Sequence, residues 1–256
     1  MLGHIKKGKD RKPRRILLYS RPGEGKSTWA NQCPGVLFLD IEDGLGDIDC
    51  HKTPVIASVD KLIECCSWFE GNEHPYKALA IDTADWMEKL IFKQVANDAG
   101  KVSIADIGFG KGYATAETIL RKVLNSFEAL RSKGITIILL AHSKIEKVSP
   151  PDGDSYDRYT PALHDKSSRV IEEWCDEIFF ARQRVIKTKK DEGFGKERVV
   201  ATGGKQRFIT TGDDASCLCK NRLNLPQELP LEFSALLPYL PGFEEAVPAK
   251  KVKKTS

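Results

Sequence analysis

The sequence contains no apolar run that approaches the length of a membrane span. A transmembrane helix needs about 20 consecutive apolar residues, whereas the most hydrophobic segment, residues 135–142, is far shorter. The basic N-terminus leads directly into a predicted strand, without the apolar region and cleavage site of a secretory signal. These absences predict a cytoplasmic protein that has no membrane partner.

The seven cysteines also lack the paired C-x-x-C spacing that is typical of zinc sites. Two groups could still ligate a metal, namely Cys50-His51 with Cys65-Cys66, or Cys217 with Cys219. In a chain without a secretory signal we expect reduced thiols that behave as small buried residues rather than as metal ligands.

Positive charge is concentrated at the two ends of the 256-residue chain, whose formal net charge is +4. Residues 1–15 carry a net charge of +6 and the lysines within 250–254 carry +4, which leaves −6 for residues 16–249. We therefore expect a basic arm at 1–14, one α/β domain at 15–243 and a disordered basic tail at 244–256. Basic ends suit phosphate backbones, and short solvated tails without a binding partner are the alternative. Charge alone therefore does not establish a nucleic-acid partner.

A glycine-containing loop between a predicted strand and a predicted helix is the strongest functional signal. Residues 20–28 read Ser-Arg-Pro-Gly-Glu-Gly-Lys-Ser-Thr, after the apolar segment 16–19 and before a predicted helix at 29–32. This order is typical of the phosphate-binding loop of P-loop nucleotidases, in which backbone N–H groups and a helix N-terminus surround an anion. Ser20 stands where the usual motif has its first glycine. A chance Gly-Lys-Ser in a surface turn is the alternative, and it leaves the flanking strand and helix unexplained.

This loop predicts ATP and Mg²⁺ as ligands. Lys26 is expected to contact the β- and γ-phosphates, and the Ser27 hydroxyl is expected to ligate Mg²⁺. The residues predicted to bind the nucleotide are Arg21, Pro22, Gly23, Glu24, Gly25, Lys26, Ser27 and Thr28.

Apolar segments alternate with amphipathic ones over most of the chain. Predicted strands lie at 36–40, 55–57, 78–82 and 135–142, and predicted helices lie at 59–70, 84–98 and 114–133. Continuous apolar strands separated by helices indicate a mostly parallel sheet that is covered on both faces. After Asp176 the pattern changes to short alternating segments, which predict antiparallel hairpins at the edge of the sheet. The predicted fold class is therefore α/β, a P-loop NTPase core with antiparallel strands added at its C-terminal edge.

Two carboxylates follow predicted strands at the sheet edge where α/β folds bind their ligands. Asp82 ends the strand at 78–82 in the Walker B position, so we expect it to hold Mg²⁺ together with Ser27; the alternative role is an N-cap for the helix at 84–98. AAA+ and helicase-type proteins usually carry a glutamate directly after this aspartate, where the present sequence has Thr83. Glu42 follows the strand at 36–40 and could orient the attacking water instead. The alternative for Glu42 is a carboxylate in a solvated turn without a catalytic role.

Asp40-Ile41-Glu42 at the end of a strand resembles the RecA/RadA recombinase family, in which the glutamate of Asp-x-Glu is the general base. The resemblance covers about residues 15–225 in the order of elements rather than in long identical stretches, and it implies a RecA-like ATPase core. His142 ends a strand where the family has a polar sensor of the γ-phosphate. The family usually has glutamine or asparagine there, and a polar strand cap is the alternative for His142. The compact form also resembles short RecA-like ATPases of bacteriophages, which are associated with single-strand annealing and recombination.

The same resemblance implies single-stranded DNA as a partner. Residues 107–113 and 144–163 match the two DNA-binding loops of recombinases in position. The candidate DNA-binding residues are Phe109, Lys111, Tyr113 and Arg158, because aromatic faces stack on bases and basic groups contact the backbone. Long loops rich in Gly, Pro and Asp are, as an alternative, often simply mobile.

Lys220 and Arg222 lie on one face of a predicted strand at 217–222. Lys-x-Arg near the end of the core resembles the finger that RecA-fold hexamers of the KaiC and DnaB type insert into the ATP site of a neighbour. The resemblance implies self-association into a ring or filament, with a cation supplied in trans. A surface strand without a catalytic role is the alternative.

The expected function is ATP binding and hydrolysis, stimulated by single-stranded DNA, in recombination or annealing. The expected catalytic residues are Lys26, Glu42, His142, Lys220 and Arg222, and a single-strand DNA-binding protein is a further candidate partner. Two other functions stay open. A P-loop nucleotide or small-molecule kinase would need a lid, but no arginine-rich lid is evident between residues 82 and 142. A nucleotide-switched assembly protein would use its basic ends for recruitment.

Overall fold

The computed structural model describes residues 7–8, 11–191, 197–212 and 214–243, with the backbone alone described at 185–191, 197–203 and 205. The predicted tail at 244–256 and much of the predicted arm at 1–14 therefore lie outside the described residues. In the described part of the chain, no helix is long and apolar enough to cross a membrane.

Helices and strands alternate along the chain as the apolar pattern predicts. The strands are β1 (Arg15–Ser20), β2 (Val36–Asp40), β3 (Ala78–Asp82), β4 (Thr136–Val148), β5 (Tyr156–Pro161), β6 (Glu177–Asp191), β7 (Glu197–Thr210), β8 (Lys220–Asn221) and β9 (Glu228–Pro230). The helices are α1 (Lys26–Asn31), α2 (Val59–Gly71), α3 (Ala84–Asp98), α4 (Lys111–Ser132) and α5 (Asp165–Trp174).

One sheet organises the domain, with the strand order β2-β3-β4-β1-β6-β7-β9. The pairs β2–β3, β3–β4, β4–β1 and β1–β6 are parallel. The pairs β6–β7, β7–β9, β6–β8 and β4–β5 are antiparallel. This arrangement confirms the predicted fold class, a mostly parallel sheet flanked by helices with antiparallel strands at the C-terminal edge.

The central strands are continuous apolar runs because both faces of the sheet are covered. Leu17 and Tyr19 of β1 pack in a core that includes residues of α2, α3, α4 and α5. Ile16 and Leu18, which alternate with them, pack in a second core with Trp29 of α1 and residues of the C-terminal segment 225–243. A strand with apolar neighbours on both sides cannot follow the polar–apolar alternation of a half-exposed strand.

Four predicted features are wrong in detail. Residues 55–57 form no strand, although Ile56 N–H donates to the Asp40 carbonyl at 2.7 Å. The predicted loop at 144–163 is mainly an antiparallel hairpin, because β4 continues past the parallel sheet and pairs with β5 from Ser143 to Val148. The strand predicted at 217–222 is reduced to β8, and a long β6–β7 hairpin replaces several short strands.

The register places the predicted site at one edge of the sheet. Ser20 lies opposite His142, and Asp40 lies opposite Asp82, each at or near the carboxyl end of its parallel strand. Ser20 and His142 are 122 positions apart in the chain, yet they are neighbours in the sheet. Asp40 and Asp82 lie at the same edge.

Candidate nucleotide-binding site

The loop between β1 and α1 has the backbone conformation that its glycines predict. Gly23 has a φ of 77° and Gly25 a φ of 93°, both in the left-handed region that favours glycine. Gly25 caps α1, and its carbonyl accepts the Trp29 N–H at 2.9 Å. The loop is held across its base by an ion pair between Arg21 and Glu24 at 3.0 Å. The backbone N–H groups at the start of α1 are therefore free of intrahelical partners and available to an anion.

The other predicted loop residues differ in exposure. Ser20, in place of the usual glycine, is fully buried and donates its hydroxyl to the Arg21 carbonyl. Pro22 and Thr28 are exposed, and both line the cavity above the loop.

Lys26 is buried at 6% exposure, which is unusual for a lysine. Its ammonium makes no ion pair or hydrogen bond with any described residue. Burial lowers the pKa of Lys26, and the negative charges of Asp82 and Glu42 oppose that shift. A desolvated ammonium without a close partner is costly. A phosphate oxygen would supply the missing acceptor.

Ser27 and Asp82, the residues predicted to hold a magnesium ion, lie in direct contact. The Ser27 hydroxyl donates to the Asp82 Oδ2 at 2.8 Å, so two oxygen atoms that could hold the ion lie side by side. Burial, and to a smaller extent the nearby Glu42 carboxylate, raise the pKa of Asp82 to about 6, against the lowering effect of the Ser27 hydrogen bond. Crowded, desolvated carboxylates and a hydroxyl are hard oxygen donors, which fit Mg²⁺.

Glu42 is held beside this pair by the backbone of β3. The N–H groups of Ile41 and Glu42 both donate to the Asp82 carbonyl at 3.0 Å. The Glu42 Oε2 accepts from the Thr83 hydroxyl at 3.1 Å, and the Glu42 side chain lines the same cavity as Lys26. The carboxylate that is absent after Asp82 in the sequence is therefore supplied in space from the end of β2.

His142 faces the same cavity and is fixed by a residue that sequence reasoning missed. The Asp85 Oδ1 accepts from the His142 backbone N–H and its Oδ2 lies 3.0 Å from the His142 Nδ1. The His142 Nε2 then lies 3.8 Å from the Glu42 Oε1. Asp85 is almost fully buried, and its hydrogen bonds and charge interaction with His142 outweigh burial, so that the pKa of Asp85 is lowered. In the sequence Asp85 is indistinguishable from an ordinary acidic residue in a first helical turn.

These side chains line one open cavity of about 380 Å³. It includes Lys26, Ser27, Glu42, Asp82 and His142. Arg207 of β7, which sequence reasoning also missed, lines it as well.

Lys220 and Arg222 lie elsewhere. Lys220 begins β8 and Arg222 follows it. β8 pairs with β6 at Glu177 and Ile178, next to the amino end of β1. The Lys220 ammonium donates to the carbonyls of Glu172 and Cys175 at 2.7 Å, at the end of α5. The Arg222 guanidinium is half exposed and lies 3.3 Å from Asp176. Within one subunit neither residue reaches the cavity, so a role in a neighbouring subunit stays a prediction.

The four candidate DNA-binding residues differ in accessibility. Phe109 is fully exposed, with a φ of 58°, and Lys111 is exposed at the start of α4. Tyr113 is partly buried and stacks on His164 with ring centroids 4.1 Å apart. Arg158, on β5 opposite Glu146, is also partly buried.

Helix α3 connects this region with the cavity. Asp85 in its first turn holds His142, and Glu88 one turn later accepts from the His164 backbone N–H at 3.0 Å. The His142 carbonyl accepts from the Ala162 N–H at 2.7 Å. Hydrogen bonds and helix α3 thus connect His142 with His164, on which Tyr113 stacks.

A family model described as an AAA domain matches residues 12–223, which include all of the cavity-lining residues named above. No curated protein matches the chain.

Proposed function

The chain belongs to the AAA domain family of P-loop nucleotide-binding proteins, and from this premise we propose that it hydrolyses ATP, with Glu42 as the general base. One observation carries the proposal: Lys26, the Ser27–Asp82 pair, Glu42 and His142 line one cavity at the carboxyl edge of the sheet. A buried ammonium, two oxygen ligands and a separate carboxylate are the groups that phosphoryl transfer to water needs.

Each group has one task in this proposal. Lys26 and the N–H groups of the loop bind the phosphates. Ser27 and Asp82 would hold Mg²⁺, which would neutralise charge on the phosphate oxygens. Glu42 orients the water and takes its proton. His142, held by Asp85, contacts the γ-phosphate, so that loss of this phosphate changes the contacts of His142 with β4 and α3.

The test of this proposal is phosphate release from ATP by the purified chain, measured with Mg²⁺ and with a chelator. We expect steady turnover that is lost with the chelator and in the variant Asp82→Asn. Transfer of phosphate to an added nucleoside or small molecule, in place of water, would support a kinase and contradict the proposal. Binding without turnover of any kind would support a nucleotide-switched assembly protein.

As a second step we propose that the protein binds single-stranded DNA and that this binding stimulates ATP turnover, as in recombination or annealing by RecA-like proteins. The supporting observation is that the exposed Phe109 and Lys111 lie at or just before the start of α4, whose Tyr113 stacks on His164. The His164 N–H donates to Glu88 of α3, and Asp85 of the same helix bonds His142. A strand that stacks on Phe109 could therefore alter the nucleotide site.

The DNA step is tested with the double variant Phe109→Ala/Lys111→Ala. Tyr113 is left unchanged because its ring packs within the fold. We expect weaker binding of a labelled oligonucleotide and loss of its stimulation of ATP turnover, with basal turnover retained. Trp68→Ala/Lys61→Ala, which removes an exposed aromatic and a lysine from α2, is the matched control. If truncation of residues 1–12 and 248–256 abolishes binding and the double variant does not, the basic ends carry the contact.

A further inference from the structure

Arg207 approaches the phosphate-binding loop from β7, which is separated from β1 by β6 in the sheet. It lies on β7 opposite Gln183 of β6, and its side chain is exposed. A Cβ atom added to Gly25 would lie 3.1 Å from the Arg207 Nη1. The guanidinium therefore rests against the residue that precedes Lys26, inside the rim of the cavity.

The neighbouring arginines of the same hairpin, Arg182 and Arg184, form ion pairs with carboxylates, and Arg207 differs from them in the described part of the chain. Arg182 makes an ion pair with Asp214 at 2.9 Å, and Arg184 makes one with Glu228 at 2.8 Å. No carboxylate among the described residues lies within ion-pairing distance of Arg207. An arginine without a carboxylate partner at the mouth of an anion site retains its full donor fork for a phosphate.

The strand order indicates which part of a nucleotide Arg207 would meet. Glu42, Asp82 and His142 come from β2, β3 and β4, on one side of β1. Arg207 comes from β7, on the other side of β1 beyond β6. If the γ-phosphate of a nucleotide lies beside Glu42, Arg207, on the other side of β1, would meet a phosphate nearer the nucleoside.

We propose that Arg207 binds the α- or β-phosphate of the nucleotide in cis, from the same subunit that supplies Lys26. This inference rests on the proposed function, because it assumes that a nucleoside triphosphate occupies the cavity. It adds a second, planar cation to the site, and it assigns the β6–β7 hairpin a direct part in nucleotide affinity. Such a contact is made equally to ATP and ADP, so it contributes to binding rather than to the chemical step.

The experiment compares Arg207→Ala, Arg207→Lys and the control Arg184→Ala, which removes a paired arginine from the same hairpin. Affinities for ATP, ADP and inorganic tripolyphosphate are measured by competition with a fluorescent ADP, and thermal unfolding checks the fold of each variant. We expect Arg207→Ala to weaken all three ligands by a similar factor of roughly ten. Arg207→Lys should restore part of the affinity, because it keeps the charge but not the fork. Arg184→Ala should bind like the wild type.

Three results would overturn the inference. Unchanged affinities in Arg207→Ala would show that the guanidinium does not touch the ligand. A loss for ATP and ADP but not for tripolyphosphate would mean that Arg207 contacts the nucleoside. A loss for ATP alone would move the contact to the γ-phosphate. Failure of the wild type to bind any of the three ligands would instead refute the proposed function itself.

Discussion

At the scale of single residues, the burial of Lys26 is expected to lower the stability of the fold in the absence of a ligand. Its ammonium is buried, its pKa is lowered by that burial, and no described residue pairs with it. Removing a desolvated charge commonly stabilises a fold when an apolar side chain of similar volume replaces it. If Lys26 binds phosphate, we therefore expect the wild-type residue to be less stabilising than an apolar one when no ligand is bound.

In the absence of nucleotide, we expect Lys26→Met to raise the free energy of unfolding by about 1 kcal/mol, and therefore to unfold at a higher temperature than the wild type. The variant should gain no further stability from ATP and Mg²⁺, since binding of a ligand to the folded state is what raises the melting temperature. Thermal unfolding with and without nucleotide checks both expectations. A nucleotide-induced shift as large as that of the wild type would show that Lys26 does not contact the phosphates.

Asp85 acts through His142, so its replacement should change turnover more than binding. In Asp85→Asn the amide can present a donor instead of an acceptor to the His142 Nδ1, which disturbs the orientation of the ring. We expect ATP affinity to be largely retained and turnover to fall about 10- to 100-fold, as is typical of residues that orient a functional histidine.

A double-mutant cycle separates positioning from a merely structural role for Asp85. Asp85→Asn/His142→Ala should be no slower than His142→Ala alone, because both changes remove the same interaction. Losses that multiply in the double variant would mean that Asp85 acts independently of the histidine.

At the level of elements, the amino ends of β1 and β6 are joined by a partly buried ion pair. The Asp176 carboxylate accepts from Arg15 Nη2 at 2.7 Å and from Arg15 Nε at 3.1 Å. Burial would raise the pKa of Asp176, but the Arg15 hydrogen bonds and charge outweigh it and lower the pKa below its ordinary value of 3.8. The stabilisation is therefore complete at pH values above the unfolded pKa, and it is lost as the pH falls through the lower, folded pKa.

We expect Asp176→Asn to lower the free energy of unfolding at pH 7 by about 1–3 kcal/mol, because it leaves the Arg15 guanidinium partly buried with a weaker acceptor. The difference from the wild type should shrink below about pH 4. Denaturant unfolding across pH 3–7 measures it, and the exposed Asp98→Asn should stay within about 0.5 kcal/mol of the wild type. A deficit that does not change with pH would exclude the ion pair as its cause.

Strands buried on both faces were predicted best from the sequence. The bounds of β2 and β3 agree with prediction because apolar side chains fill both faces, which leaves a continuous run with polar residues at each end. The β4–β5 hairpin was missed because polar and partly exposed residues interrupt its apolar ones. In addition, Pro150-Pro151-Asp152-Gly153 indicates a turn without giving the length of the strands on either side. The Asp40-x-Glu42 and Asp82 positions could be predicted because strand ends mark one edge of the sheet.

Arg207 and Asp85 could not be predicted for a different reason. Arg207 reaches Gly25 across 182 positions of the chain, through a hairpin whose place next to β6 is decided only by the assembled sheet. Asp85 becomes distinctive only when β4 brings His142 beside it. Side-chain contacts between distant elements carry no local pattern, so the sequence indicates the phosphate loop and the polar strand ends but not Asp85 and Arg207.

At the level of the whole molecule, the finger prediction can be tested on Arg222 alone. Lys220 donates to the carbonyls at the end of α5, so its replacement would also weaken the fold. The Arg222 guanidinium is half exposed, and Asp176 retains its ion pair with Arg15 when Arg222 is replaced. If Arg222 acts in trans, Arg222→Ala should bind ATP normally and lose turnover by about 10³-fold. Mixing it with Glu42→Gln should restore part of the activity, because mixed assemblies contain interfaces with both groups intact.

The control for that mixture is Arg121→Ala, an exposed arginine of α4 paired with Glu117. It should keep full turnover alone. Turnover by Arg222→Ala at the wild-type rate, or a mixture no faster than its separate components, would contradict a finger in trans.

The most direct measurement is ATP affinity and ATP turnover of Glu42→Gln, determined on the same preparation. The amide keeps the shape of the side chain and its bond to Thr83 but cannot take a proton from water. Affinity should stay within about threefold of the wild type, while turnover should fall by about 10²-fold or more. Glu64→Gln, an exposed glutamate of α2, should match the wild type in both. Turnover by Glu42→Gln at the wild-type rate would show that the carboxylate brought to the cavity by β2 is not the base.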